Sequence, residues 1–567
     1  MKQLRLKQLA FSLPITVWEL LFFLVLALFS FWLMWSTFSY HTGSMYIASK
    51  AWSDFASHIP LIRSFSFGSN FPPQYPIFAG EPIKYHFLFY FFVAMLEKIG
   101  MRLDFALNIP SALGFFFLLV MIYLFAKKLF SSIAVGVLSV VFFLFNGSFA
   151  FLEFFRQHPF GVHTLTDIVS SKTFSSFGPY DGKIVSAFWN LNIYTNQRHL
   201  ALSYGLSMLL IYVLLFHVSR HSELDSESQK DGSRVKPGMT IMWSIFLGTI
   251  LGLSFLLNMA VFIISIVVLC GIAVFFPKLR MTTGIMIIVA GLLAFPQYLY
   301  THTGGGTGLA FHIGYLAQAP VTILSFLQYW LFNLGLHFFL IPIGLFLAPR
   351  NAKKLFLAVI LLFVIGNLFQ FSPEIAANHK FFNYFMILGA MLSAYTLVWF
   401  WRKWDVAKPV VIALTFLLVL SGIIDFFPLY NDYQIALADY PKNPDVQWIK
   451  SNTPPFAIFF NTQYLYDNAS LAGRKIFLGW PYFSWSAGYD TDKRGKIRDA
   501  ILTAQDKFTA CYLLTKNHVD YLELPNKDFT DSNTPKISSV YYSQFSLAYS
   551  NHRNYFVYRV SRNCERL

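Results

Sequence analysis

The chain has 567 residues, 56% of them hydrophobic and only 13% charged, where an ordinary soluble domain carries roughly 25% charged residues. Most of its length therefore cannot be water-facing surface. The formal charge of +15 does not point to nucleic acid, because the Lys and Arg residues lie in short clusters between apolar runs and not along one face or helix.

In chain order, Lys2, Arg5 and Lys7 precede an apolar stretch from Pro14 to Phe38. That stretch is too long for a signal-peptide core and lacks a small-residue cleavage site, so it reads as a retained first helix. A mixed segment, about 38–105, follows outside. Apolar runs near 107–126, 131–152, 200–219, 240–257, 259–276, 282–298, 325–348, 355–371, 381–401 and 408–427 then bring the expected total to about eleven transmembrane helices. Every second connection carries the basic residues: Lys127 and Lys128, Arg220 to Lys236, Lys278 and Arg280, Arg350 with Lys353 and Lys354, Arg402 and Lys403. The positive-inside rule makes those connections cytoplasmic, with a cytoplasmic N-terminus. The apolar stretch Phe87–Ile99 is too short to span and is expected to be interfacial or re-entrant.

The sequence divides into a transmembrane domain, 1–427, and a polar segment, 428–567, expected as a small extracytoplasmic α/β domain. Asn443 before Pro444 reads as a helix start, and Ser550 to Asn554 as a turn between strands. Cys511 and Cys564 fall in this segment and are either two free thiols or one disulfide. Residues 221–238, HSELDSESQKDGSRVKPG, form a tolerant polar loop. The string resembles peptides encoded by repetitive palindromic elements of bacterial genomes, which implies a bacterial source.

Chemistry-bearing residues gather on the outer side. Asp54 and His58 are spaced to share one helix face. Asp54 there is either a general base or metal ligand, or simply the cap of the following helix. The same external segment supplies Glu81, Lys84 and His86. Arg198 and His199 precede one entering helix; Glu374, His379 and Lys380 precede another. A basic residue at a helix N-terminus opposes the dipole unless an anion offsets it, so a phosphate is expected there; the alternative is snorkelling to lipid headgroups. Arg474, with the aromatic stretch after Gly479, forms a further polar patch suited to sugar or phosphate, or a plain loop-rich surface.

The layout resembles the GT-C superfamily of membrane glycosyltransferases, which includes oligosaccharyltransferase catalytic subunits, protein O-mannosyltransferases and aminoarabinose transferases. The resemblance rests on the first helix and large external loop, on Ser53-Asp54 with His58, on the Phe71–Pro76 proline stretch, and on Tyr85-His86 before the short apolar segment. It implies a membrane glycosyltransferase in the bacterial plasma membrane that takes sugar from a polyprenyl-phosphate donor. Asp54 is implied as the base toward the acceptor or the holder of a divalent cation, Mg or Mn, and the outer basic residues as phosphate ligands. The Trp-Trp-Asp signature of oligosaccharyltransferases is absent, as is a second acid beside Asp54. The rival readings are a lipid or sugar transporter, which would show mid-membrane charges and internal repeats, and a non-catalytic assembly factor.

Overall fold

The computed structural model describes residues 16–176, 188–218, 238–302, 309–526, 535–551 and 554–565. The basic residues before Pro14, the loop 221–237 and most of the glycine-rich stretch after Thr303 lie outside the described residues.

Helix α1 (Val17–Thr37) starts at a capping box: the Thr16 hydroxyl accepts from Glu19 N at 3.3 Å, and the Glu19 carboxylate accepts from Thr16 N at 3.0 Å. The same carboxylate accepts from Tyr123 and Lys127 of α4 (Leu103–Phe130), so α1 and α4 are clamped at one end. Strands β1 (Phe38–His41) and β2 (Ser44–Ala48) form a hairpin on Thr42 and Gly43, both with positive φ (47° and 74°) as a tight two-residue turn requires. Helix α2 (Trp52–Ser66) follows, then α3 (Leu88–Lys98), whose 11 residues are too few to span.

After α4 the chain forms α5 (Ile133–Leu144), the short α6 (Ala150–Gln157), α7 (Thr164–Ser170) and α8 (Asn192–Asn196), and then α9 (Leu200–Val213). The apolar run expected as one helix over 131–152 thus stops at Leu144. Next come α10 (Gly238–Leu253), α11 (Met259–Phe275) and α12 (Arg280–Thr301). Helices α13 (Ile323–Leu334) and α14 (His337–Leu347) meet at 84°. Gly335 makes that break: its φ is +54°, and a Cβ there would lie 2.0 Å from the Gly147 carbonyl. Helices α15 (Arg350–Leu368), α16 (His379–Lys403) and α17 (Lys408–Tyr430) complete the bundle. Among the described residues seven helices are long and apolar enough to cross a membrane, or eight with the bent pair as one span; the helices at 133–144, 240–256 and 259–275 are shorter.

The remaining strands include a two-stranded pair, β3 (Ala310–Phe311) with β4 (Phe369–Gln370), and β5 (Gln434–Ala438), which adds to β2. Beyond it, β6 (Ile458–Phe460), β7 (Lys475–Ile476), β8 (Tyr521–Pro525), β9 (Leu547–Asn551) and β10 (Tyr555–Arg559) form one sheet in the order β7-β6-β8-β10-β9. Its β7, β6 and β8 run parallel and the other two strands antiparallel. Cys511 and Cys564 form a disulfide.

The polar C-terminal segment does not keep a core to itself. Phe55, Ile59, Ile62 and Tyr90 of the first external segment pack in one apolar cluster with Phe459, Ile476, Leu522 and Val557. Buried Arg63 of α2 reinforces the junction, lying 3.1 Å from Glu97 of α3 and 2.6 Å from Asp439. Helix α2, buried at every residue from Phe55 to Phe65, is thereby sandwiched.

Candidate active site

Asp54 does not cap α2. The N-cap position is Ala51 without a side-chain bond, and Asp54 sits in the first turn, where a carboxylate meets the positive end of the helix dipole. It is half-buried and hydrogen-bonded to Asn196, whose amide also donates to the Lys50 carbonyl at 3.1 Å. Across from it stands Lys380, from the first turn of α16, whose charge acts on the carboxylate. Burial raises the Asp54 acid to about 6 despite Lys380 and Asn196, both of which pull it down. A carboxylate of that basicity is ionised at neutral pH yet basic enough to take a proton from a hydroxyl under attack.

Tyrosines surround Asp54. Tyr75, Tyr85 and Tyr90 from the external segment and Tyr466 from the C-terminal segment all feel the Asp54 charge, and burial raises each phenol. Tyr466 donates to the Trp52 carbonyl at 2.5 Å, which fixes the start of α2, and Tyr75 stacks on Tyr489 with centroids 5.3 Å apart.

The histidines form a network of their own. His86 and His199 meet through their Nε2 atoms at 2.6 Å, and Tyr90 Oη lies 2.9 Å from His199 Nδ1. One proton serves the nitrogen pair, so at least one ring is an acceptor. Burial, with Lys380 close by, pushes both imidazoles well below their usual range. His58 stacks on Tyr90 at 4.5 Å and is lowered to about 3 by burial and by Arg198. The three histidines, expected as substrate or phosphate contacts, lie together here, and their lowered values favour the neutral rings. His379 stacks on Phe188 at 4.9 Å, and its Nε2 lies 3.4 Å from Gln197 Nε2. The starts of α9 and α16 are therefore adjacent, a juxtaposition sealed by Tyr204 donating to the Lys380 carbonyl at 2.7 Å.

Several expected ligands are engaged elsewhere. All five N–H donors of buried Arg198 are used inside the protein: Nε on the Thr195 carbonyl at 2.6 Å, one terminal nitrogen on Met34 Sδ (2.7 Å) and Asn108 Oδ1 (3.2 Å), the other on the Met34 carbonyl (3.3 Å) and Thr37 Oγ1 (2.6 Å). It is a clamp on α1 and α4. Lys84 donates to the Gly488 carbonyl at 3.1 Å and lies 3.6 Å from Glu81, which also faces Arg494 at 3.6 Å. Arg474 is buried on the Phe67, Ala472, Lys450 and Thr453 carbonyls. Glu374 accepts from Ala376 N at 3.0 Å and from Tyr482 Oη at 2.9 Å. Lys380 differs: among the described residues no carboxylate lies within ion-pair distance of its ammonium. A divalent cation at Asp54 would be opposed by the Lys380 ammonium, and no three His, Cys, Asp or Glu residues converge among the described residues.

No family model matches the sequence, and no curated protein matches it. The fold does have relatives among solved structures. An apo oligosaccharyltransferase from Archaeoglobus fulgidus superposes with a TM-score of 0.51 at 11% identity, covering 91% of this chain and 70% of that one. The fold is GT-C-like. The structural matches also include apo ArnT from Cupriavidus metallidurans (TM-score 0.48, 11% identity, 95% of this chain and 97% of that one) and the archaeal enzyme AglB in complex with an inhibitory peptide and a dolichol-phosphate (TM-score 0.46, 13% identity, 89% and 69%).

Asn196, Gln197, Tyr90 and Tyr466 were not singled out from sequence. Asn196 and Gln197 lie in the same polar run as Arg198, and their chemistry was masked by the stronger charge beside them. Tyr466 carries no local signal at all, because its relation to Asp54 exists only once the C-terminal segment docks.

Proposed function

We propose that the chain is a membrane glycosyltransferase that moves a sugar from a polyprenyl-phosphate donor to an acceptor hydroxyl on the extracytoplasmic face of a bacterial plasma membrane. The observation that carries this reading is the pairing of Asp54 with Lys380: a carboxylate tuned toward neutrality faces an ammonium without a described ion-pair partner, at the end of an apolar helix. Asp54 takes the proton of the acceptor hydroxyl as its oxygen bonds to the anomeric carbon. The bond from that carbon to the donor phosphate breaks, and the lipid phosphate leaves with its charge beside Lys380 and the N-terminus of α16. The neutral His86–His199–Tyr90 network positions hydroxyl and phosphate oxygens without adding charge. His379 and Gln197 border the phosphate side, and no step is routed through a metal. The GT-C-like fold supports the reading. The test is transfer of radiolabelled sugar from polyprenyl-phosphate donors by the purified protein: wild type is expected to transfer, and Asp54→Asn to fall by at least about a hundredfold. Transfer by Asp54→Asn at the wild-type rate would remove the base.

A further inference from the structure

A cavity of ≈ 50 Å³ lies inside the bundle between the C-terminal end of α5, the N-terminal end of α14, α16 below His379, and the 188–194 segment. At roughly 10–15 Å³ of such space per water it holds about four waters, comparable with part of a sugar ring. Its polar lining is Asn146, Tyr194, Asn333, His337 and Asn383, set among aromatic rings that include Phe188 and Trp189, and no Asp, Glu, Lys or Arg side chain lines it.

Two of these polar groups are satisfied on both sides. Asn146 accepts from Ser148 Oγ at 2.6 Å and donates to Asp425 at 3.0 Å; Asn333 accepts from Trp189 Nε1 at 2.7 Å and donates to the Tyr329 carbonyl at 2.9 Å. Two others are not. His337, 1% exposed, bonds Ser393 through Nδ1 and leaves Nε2 without a partner; Asn383, 7% exposed, bonds His379 Nδ1 through its amide nitrogen and leaves Oδ1 without one. Two residues that line one cavity each leave a buried polar atom without a partner, which favours a ligand that hydrogen-bonds.

The chemistry of that ligand is restricted. An anion would meet no cation in the lining and would lie close to Asp425 behind Asn146. An isoprenoid would leave both polar atoms unpaired. Aromatic faces with amide and imidazole groups suit an uncharged, hydroxylated ring. The cavity also adjoins the proposed reaction centre: Asn383 lies one turn, about 6 Å, along α16 from His379 and bonds it, while Phe188 stacks on the same imidazole.

We infer that this cavity receives the uncharged, hydroxyl-bearing part of the donor's sugar, with its hydroxyls toward the His337 and Asn383 side chains. The inference rests on the glycosyltransferase reading for its substrate, but its test does not need turnover. Full-length Asp54→Asn protein in nanodiscs is titrated with a panel of neutral free pentoses and hexoses, and separately with polyprenyl phosphate carrying no sugar, while the thermal midpoint and tryptophan fluorescence are followed. At least one monosaccharide is expected to raise the midpoint saturably. Ala390→Leu, which fills the cavity, and His337→Gln, which displaces the orphaned nitrogen, are each expected to weaken that binding by about tenfold or more, and each is scored only if it melts cooperatively; the second serves if the first does not fold. Absence of saturable sugar binding overturns the proposal, as does binding that both variants retain. Polyprenyl phosphate binding that Ala390→Leu alone abolishes would make the cavity an isoprenoid pocket. Sugar binding without transfer by the wild type would leave the cavity standing and the transferase reading fallen.

Discussion

Replacing Asp54 by Asn separates catalysis from stability, because the same burial that raises the acid to about 6 makes its ionised form unfavourable. Relative to the usual 3.8 the shift is upward, so the folded state binds the proton more tightly than the unfolded state. The stability linked to that proton is full below about pH 4 and is lost as pH rises through 6. At pH 8 the charged carboxylate therefore destabilises the fold by roughly 1 to 3 kcal/mol, the lower figure allowing for solvent around a half-buried group. Asn keeps the shape and the bond to Asn196 without the charge. The Asp54→Asn protein is expected to melt at or above the wild-type temperature at pH 8, with the difference vanishing near pH 4, while losing transfer. Wild-type kcat/KM is expected to rise about tenfold between pH 5 and pH 7, following ionisation of a group near 6. Differential scanning fluorimetry of detergent-solubilised protein reads the first effect, and initial rates at sub-saturating acceptor read the second. A flat pH–rate profile across that interval, or an Asp54→Asn protein clearly less stable at pH 8, would refute the argument.

Lys380→Met is expected to raise the donor KM and to move the acidic limb of the profile upward by roughly one pH unit, because the cation that favours Asp54 ionisation is gone; an unmoved limb would mean that the two groups do not communicate. Arg198→Met is expected to cost about 3–5 kcal/mol or to prevent expression, since it strands several buried acceptors, and Lys should not rescue it because an ammonium cannot reproduce the five-donor fork. Should Arg198→Met fold normally and lose only donor affinity, Arg198 is a phosphate ligand after all. Removing the Cys511–Cys564 disulfide with a Cys511→Ala, Cys564→Ala double variant is expected to lower stability by about 2–4 kcal/mol with kcat unchanged, checked by unfolding midpoints under non-reducing conditions; unchanged midpoints would show that the bridge constrains nothing.

The bundle was legible where the signal is local. Apolar runs bounded by Lys and Arg marked the helices, and the short Phe87–Ile99 stretch holds an 11-residue helix, half-buried and too short to span. What sequence missed was set by close approach between distant segments. The run 131–152 is mostly apolar, yet α5 stops at Leu144, just before Asn146-Gly147-Ser148, where Phe145 and Asn146 lie against Gly422 so tightly that a Cβ on Gly422 would fall 2.3 Å from the Phe145 Cα. No local propensity encodes that contact.

The site divides along the same line. The expectation of an anion site at two helix N-termini needed the α9 and α16 starts to be neighbours, and they are, through Gln197 and His379. Charge alone could not tell which basic residue faces the pocket and which serves the scaffold. Arg198 has the richer donor set, and it is turned inward because Met34, Thr37 and Asn108 on two other helices present acceptors in its reach. Lys380, with a single flexible ammonium, finds no carboxylate within ion-pair distance among the described residues and remains beside Asp54. A buried arginine with every donor engaged stabilises structure, and a cation left near one tuned carboxylate is available to a substrate; partner accounting, more than residue type, separates the two roles.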